Sequence, residues 1–154
     1  MSTQSEVMQR IIRRYKKETG KAEIDMHDVA RYAVKIGVRL PKPVDPIDVL
    51  AQRFSRAARE EIRHDKRTGH PYRVNHAVPS GQQRFFWIDI DEAPRPKMLK
   101  SLTLRREQMV GDALQLSFDA DHWNSIHPSE RPIDPVLDLT DDVAERKQVW
   151  KKAG

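Results

Sequence analysis

Residues 45–90 read DPIDVLAQRFSRAAREEIRHDKRTGHPYRVNHAVPSGQQRFFWIDI, and the reading of this stretch decides the fold. Asp45-Pro46 followed by Asp48 is a helix start. An aspartate precedes the first turn, proline takes the first helical position, and an acid meets the positive helix end. Ile47, Leu50, Ala51, Phe54, Ala58 and Ile62 recur at helical spacing, which predicts one long helix over 46–67 with this stripe facing inward. Gly69 and Pro71 break it. Tyr72, Val74, His76 and Val78 then alternate with Arg73, Asn75 and Ala77, and Phe86, Ile88 and Ile90 alternate with Phe85, Trp87 and Asp89. A period of two on both sides of the polar tip 79–83 predicts a ribbon that pairs 72–78 with 84–90.

Two shorter helices precede this block. Thr3 and Glu6 fit a capping box, Val7, Ile11 and Tyr15 follow at four-residue intervals, and Gly20 ends the pattern. The second starts near Asp25 or Met26, is expected to bury Met26, Val29, Ala30, Ala33 and Val34, and stops at Gly37. Val38-Arg39-Leu40 is a candidate edge strand, and Pro41, Pro43 and Pro46 stiffen the connection after it.

Downstream, Leu99, Leu102, Arg106, Met109, Ala113 and Leu116 mark a helix stripe at close to 3.5-residue spacing, suited to dimerisation or to capping the chain's own domain. The chain turns polar from Ser117, and Pro128, Pro132 and Pro135 punctuate an arm with a short apolar patch at Val136, Leu137 and Leu139. Thr140 or Asp141 is the expected cap of a last short helix. The expected organisation is a domain over 4–92, a helical element over 93–127 and an arm over 128–154.

The 154 residues are 38% apolar, carry no cysteine and have a net charge of +5. Disulfides and thiolate metal sites are thereby excluded. No apolar run reaches membrane-spanning length and no signal peptide is evident, so the expected location is cytoplasmic. The charge is uneven: residues 1–90 hold 18 Lys and Arg against 11 Asp and Glu, whereas 91–154 hold 10 against 12. A basic half favours a polyanionic partner, because each phosphate contact releases counterions.

Three helices followed by a hairpin resemble the winged helix-turn-helix DNA-binding family, over about residues 4–92. The resemblance rests on element order within an α+β class. It implies a third helix in the major groove and a wing against the adjacent backbone. Carried over, Arg53, Arg56 and Arg59 become groove-facing, with Gln52 and Arg63 on the same helix, and Arg73, Gln82, Gln83 and Arg84 form the wing contacts. Two features depart from the family's pattern: the third helix is long, and a proline-rich approach replaces a tight turn. The bland alternative is a solvated arginine face balanced by Glu60, Glu61 and Asp65. The resemblance implies sequence-selective binding of double-stranded DNA by a small transcriptional regulator. That regulator would be a homodimer through Leu99, Leu102, Met109, Ala113 and Leu116. An adaptor or assembly subunit of a nucleic-acid-processing complex, with a protein partner at the C-terminal half, is the alternative from another class.

Chemistry is not expected. Asp89, Asp91 and Glu92 beside Lys97 and Lys100 loosely resemble a metal-dependent nuclease centre, but the spacing is wrong and a solvated turn explains them. His64, His70, His76, His122 and His127 include no pair at four-residue helical spacing. Ser80-Gly81 lacks a nucleophile elbow, and no glycine-rich phosphate cradle is present. The reading is a binding protein with no catalytic residue, metal or cofactor.

Overall fold

The computed structural model describes residues 1–81 and 85–153. Its elements are α1 (Gln4–Thr19), α2 (Met26–Lys35), α3 (Pro46–Glu60), β1 (Ile62–His64), β2 (Pro71–Arg73), β3 (Asn75–Pro79), β4 (Phe85–Asp89), α4 (Arg95–Ile126) and α5 (Thr140–Ala153). This is a small α+β protein: three helices, two short antiparallel hairpins, then two further helices. The order is compatible with a winged helix and is not peculiar to it. The chain divides into two compact units, Met1–Asp45 and Pro46–Gly154.

In the first unit, α1 opens on the expected capping box: Glu6 N–H donates to Thr3 Oγ1 at 3.2 Å, and Thr3 N–H donates to Glu6 Oε2 at 2.7 Å. Gly20, at φ 70°, closes it. Asp25 caps α2 through His27 N–H at 2.7 Å. Tyr15 and Tyr32 meet edge to face at 5.4 Å between centroids, and the Tyr32 hydroxyl donates to Glu18. Of the expected α2 stripe only Val29 is buried, while Met26 and Val34 stay exposed. Val38-Arg39-Leu40 is not a strand. Val38 N–H instead reaches back to Ala33 and Gly37 N–H to Val34, a helix-ending pair that places Gly37 at φ 106°.

The second unit departs further from expectation. α3 begins at Pro46 but ends at Glu60, and β1 and β2 form a hairpin where the helix was expected to continue. Acids at 60 and 61 oppose the negative helix end. Asp65 then organises the turn, its carboxylate accepting Arg67 N–H at 2.8 Å and Thr68 N–H at 3.1 Å. Gly69 supplies a φ of 72° that closes the hairpin.

The expected strand 72–78 is broken at Val74. Its N–H bonds to Glu61 O at 3.1 Å on one side, and its carbonyl accepts Ile90 N–H at 2.8 Å on the other. One stretch of chain therefore changes partners, from β1 to β4. Val74 is only 1% exposed at this junction. The β3–β4 ribbon pairs Ala77 with Trp87 and Pro79 with Phe85.

α4 lies on β3, and Ser101, also 1% exposed, donates its hydroxyl to Ala77 O at 2.7 Å. α4 runs to Ile126 as one helix within the helical element expected over 93–127, and the 3.5-residue stripe extends through the polar stretch after Ser117 to Ala120 and Trp123. Trp123 stacks on His127 at 4.2 Å, and the Asn124 amide grips both backbone groups of Ile133 at 2.8 Å each. The arm thus turns back, bringing Leu137, Leu139 and Val143 around a groove with Met109, Val110 and Ala113. At the start of α5 it is Asp138, not Thr140 or Asp141, whose carboxylate accepts the Thr140 N–H, at 3.1 Å.

The apolar stripe of α3 is not an inward face. Ile47 is 70% and Phe54 68% exposed, while Val49, Ser55 and Ala58 are half-buried. Asn75 fixes this side of the helix, donating to Ala58 O and to Glu61.

Candidate functional site

At 100° per residue, α3 carries three faces. Ile47, Leu50 and Phe54 form one; Arg53, Arg56 and Glu60 form a second; Gln52, Ser55 and Arg59 form a third. The third face turns Ser55 and Arg59 toward an open cleft of about 530 Å³, bounded also by the β3–β4 ribbon and by α4. Arg73, at the end of β2, and Arg105 of α4 enter the same cleft. Serine at 101 lets α4 approach the ribbon closely, and residues 101, 104, 105 and 108 share the helix face that lines it.

Three guanidinium groups therefore converge from three elements. Among the described residues none of Arg59, Arg73 and Arg105 has a carboxylate within ion-pair distance. Arg59 lies over the Trp87 ring at 5.2 Å from its centroid, which holds the cation in place without cancelling its charge. The floor is polar and built. Ser101 is buried against Ala77 O, and His76, 5% exposed, donates its Nε2–H to Arg73 O at 2.8 Å. That bond also orients the backbone from which Arg73 projects. Such a cleft offers fixed positive charge, an aromatic wall and the Gln108 amide.

Arg63 has a different role from the one expected of it. It stands on β1 rather than on a helix, and its guanidinium meets Asp89 at 2.9 Å and Asp91 at 2.7 Å. Asp91 also accepts the Tyr72 hydroxyl at 3.1 Å, so the cluster ties the two hairpins together. The Asp91 backbone N–H and then Arg63 hold the Asp89 carboxyl below the ordinary carboxylate range. Burial, then the hydrogen bond to Asp91, raises the Tyr72 phenol. Of the acids that superficially resembled a nuclease centre, Asp89 and Asp91 are thus the counter-ions of Arg63. Among the described residues no three His, Asp or Glu side chains converge to hold a metal ion.

Of the other expected site residues, Gln52, Arg53 and Arg56 are exposed on α3. Gln82, Gln83 and Arg84 lie outside the described residues. Leu99, Leu102, Met109 and Leu116 are exposed along α4, and Ala113 is half-buried beside the returning arm. The sequence reading missed Arg105, Gln108 and the buried pair His76 and Ser101. For Ser101, Arg105 and Gln108 the signal was the 101–104–105–108 spacing on one helix face, which competed with the stronger apolar stripe; for His76 it was its place in the alternating run 72–78. Among the described residues no helix is long and apolar enough to cross a membrane. Comparison with protein-family models, with curated proteins and with solved structures gave no match.

Proposed function

We propose that this chain is a DNA-binding protein of winged-helix character, acting as a small transcriptional regulator. The observation that carries the reading is the convergence of Arg59, Arg73 and Arg105 on one cleft, without carboxylate partners among the described residues, beside exposed Arg53 and Arg56 on α3. Charges that a fold leaves unneutralised on one side are what a phosphate backbone requires. In this reading the cleft arginines and the ribbon fix the register on the backbone. Gln52, Arg53 and Arg56 supply the base contacts in the major groove.

A homodimer belongs to the same reading. The α4 stripe repeats as a heptad seam from Leu99 to Trp123, with Arg106 at one seam position, and Leu99, Leu102, Met109 and Leu116 are exposed along it. A two-fold protein reads two half-sites, so the preferred sequence is symmetric. The exposed Ile47, Leu50 and Phe54 stripe of α3 favours a second reading, an assembly subunit docked on a protein partner through that face.

The test is selection from a random duplex library at about 150 mM salt. The expected result is enrichment of a symmetric site, lost in the Arg53→Gln/Arg56→Gln protein. A folded protein that enriches nothing sinks the regulator and leaves the assembly subunit.

A further inference from the structure

The cleft contains more than a backbone contact needs. Its aromatic wall is Phe85 and Trp87, two residues apart on β4 and therefore on one face of the ribbon. Phe85 is 55% exposed, Arg73 and Arg105 line the cleft with no carboxylate in ion-pair distance among the described residues, and Arg59 occupies one face of Trp87. In a duplex the bases are stacked on each other, and phosphates resting on the rim would leave the aromatic wall unused. An exposed ring between arginines is the arrangement that receives an unstacked base with its phosphates. The volume, about 530 Å³, is that of a small-ligand site. Gln108 has no side-chain hydrogen bond among the described residues, so its amide is available to a base edge.

We propose that this cleft takes one unpaired nucleotide of a single-stranded segment, its base against Phe85 and its flanking phosphates on Arg73 and Arg105. The inference rests on the nucleic-acid reading above and adds a second mode to duplex binding: capture of an unpaired stretch of DNA at the cleft. Trp87 reports occupancy directly, since it lies in the cleft wall.

The experiment uses the full chain with Trp123→Phe and Trp150→Phe, which leaves Trp87 as the single indole. Three probes are titrated: a short oligothymidylate, a blunt duplex and thymidine monophosphate. The expected result is quenching of Trp87 emission by the oligonucleotide and binding of the duplex, seen by anisotropy, without quenching. Phe85→Leu is expected to weaken oligonucleotide binding by roughly tenfold more than duplex binding. Duplex and oligonucleotide binding equally, with Trp87 silent and Phe85→Leu affecting both alike, would overturn the inference and leave the DNA reading standing. Saturation by the mononucleotide at the oligonucleotide's concentration would also overturn it, because the cleft would then serve a free nucleotide. If neither nucleic acid binds, both readings fail together.

Discussion

Replacing Arg59, Arg73 and Arg105 together by glutamine should change how DNA affinity responds to salt by a calculable amount. Each phosphate neutralised on a duplex contributes about 0.9 to the slope of log affinity against log salt concentration. If DNA phosphates occupy the three cleft guanidiniums, those contacts contribute a slope of about 2.7. Raising salt from about 50 to about 200 mM, a fourfold change, costs roughly 40-fold in affinity through these contacts alone. The triple variant should lose that component and keep the part owed to Arg53 and Arg56. Arg63 is the internal control. It has the same side chain and lies in the same unit, but Asp89 and Asp91 already neutralise it. Arg63→Gln should leave the slope unchanged while lowering the thermal midpoint. The assay is fluorescence anisotropy with a labelled duplex at four or so salt concentrations, each variant first checked for folding by circular dichroism. The argument fails if the triple variant retains the wild-type slope, or if Arg63→Gln reduces the slope as much as one cleft arginine does.

Three further outcomes are expected. Leu102→Glu with Met109→Glu should convert a dimer to a monomer by light scattering; a wild-type chain that is already monomeric there removes the seam. Asp89 has a lowered pKa, so it contributes stability above the unfolded-state value of about 3.9 and loses that contribution as pH falls through its folded value. Wild type should melt above Asp89→Asn at neutral pH and converge with it on acidification, whereas a gap independent of pH would refute the assignment. Val74→Ala should cost about 2 kcal/mol and Ser101→Ala about 1 kcal/mol in urea denaturation, the first from lost burial and the second from the stranded Ala77 carbonyl. No change in either midpoint would mean that the junction and the helix–strand contact are not limiting.

Local signals in this sequence were legible where one residue sets one conformation. The Thr3–Glu6 box, the stops at Gly20 and Gly37, the Pro46 helix start and a strand at 85–89 appear as read, although burial along that strand does not alternate. Longer patterns misled where two structures share one apolar spacing. Ile62 continues the stripe of Phe54 and Ala58, so a helix to residue 67 was the natural expectation. The carboxylate of Asp65, which can cap a turn as readily as it decorates a helix, decides otherwise. At Val74 the alternation passes unbroken through a change of partner, because side-chain period says nothing about which strand accepts the backbone bonds. Arg59 and Arg73 were legible as exposed basic side chains from charge and position. Their grouping with Arg105 was not, since it depends on how α4 lies across β3, which Ser101 settles by being small.

The change of partner at Val74 also limits what the sheets can do to other molecules. A seven-residue ribbon strand with free N–H and C=O groups along its outer side would be a template for strand addition and aggregation. Split at Val74, the same chain offers three residues in one hairpin and five in the other. The longer piece is overlaid by α4, and Ser101 occupies one of its carbonyls. With strands of three and five residues, and the longer of them overlaid by α4, the sheet is a poor template for backbone pairing with another chain, even though apolar side chains along the helices are exposed.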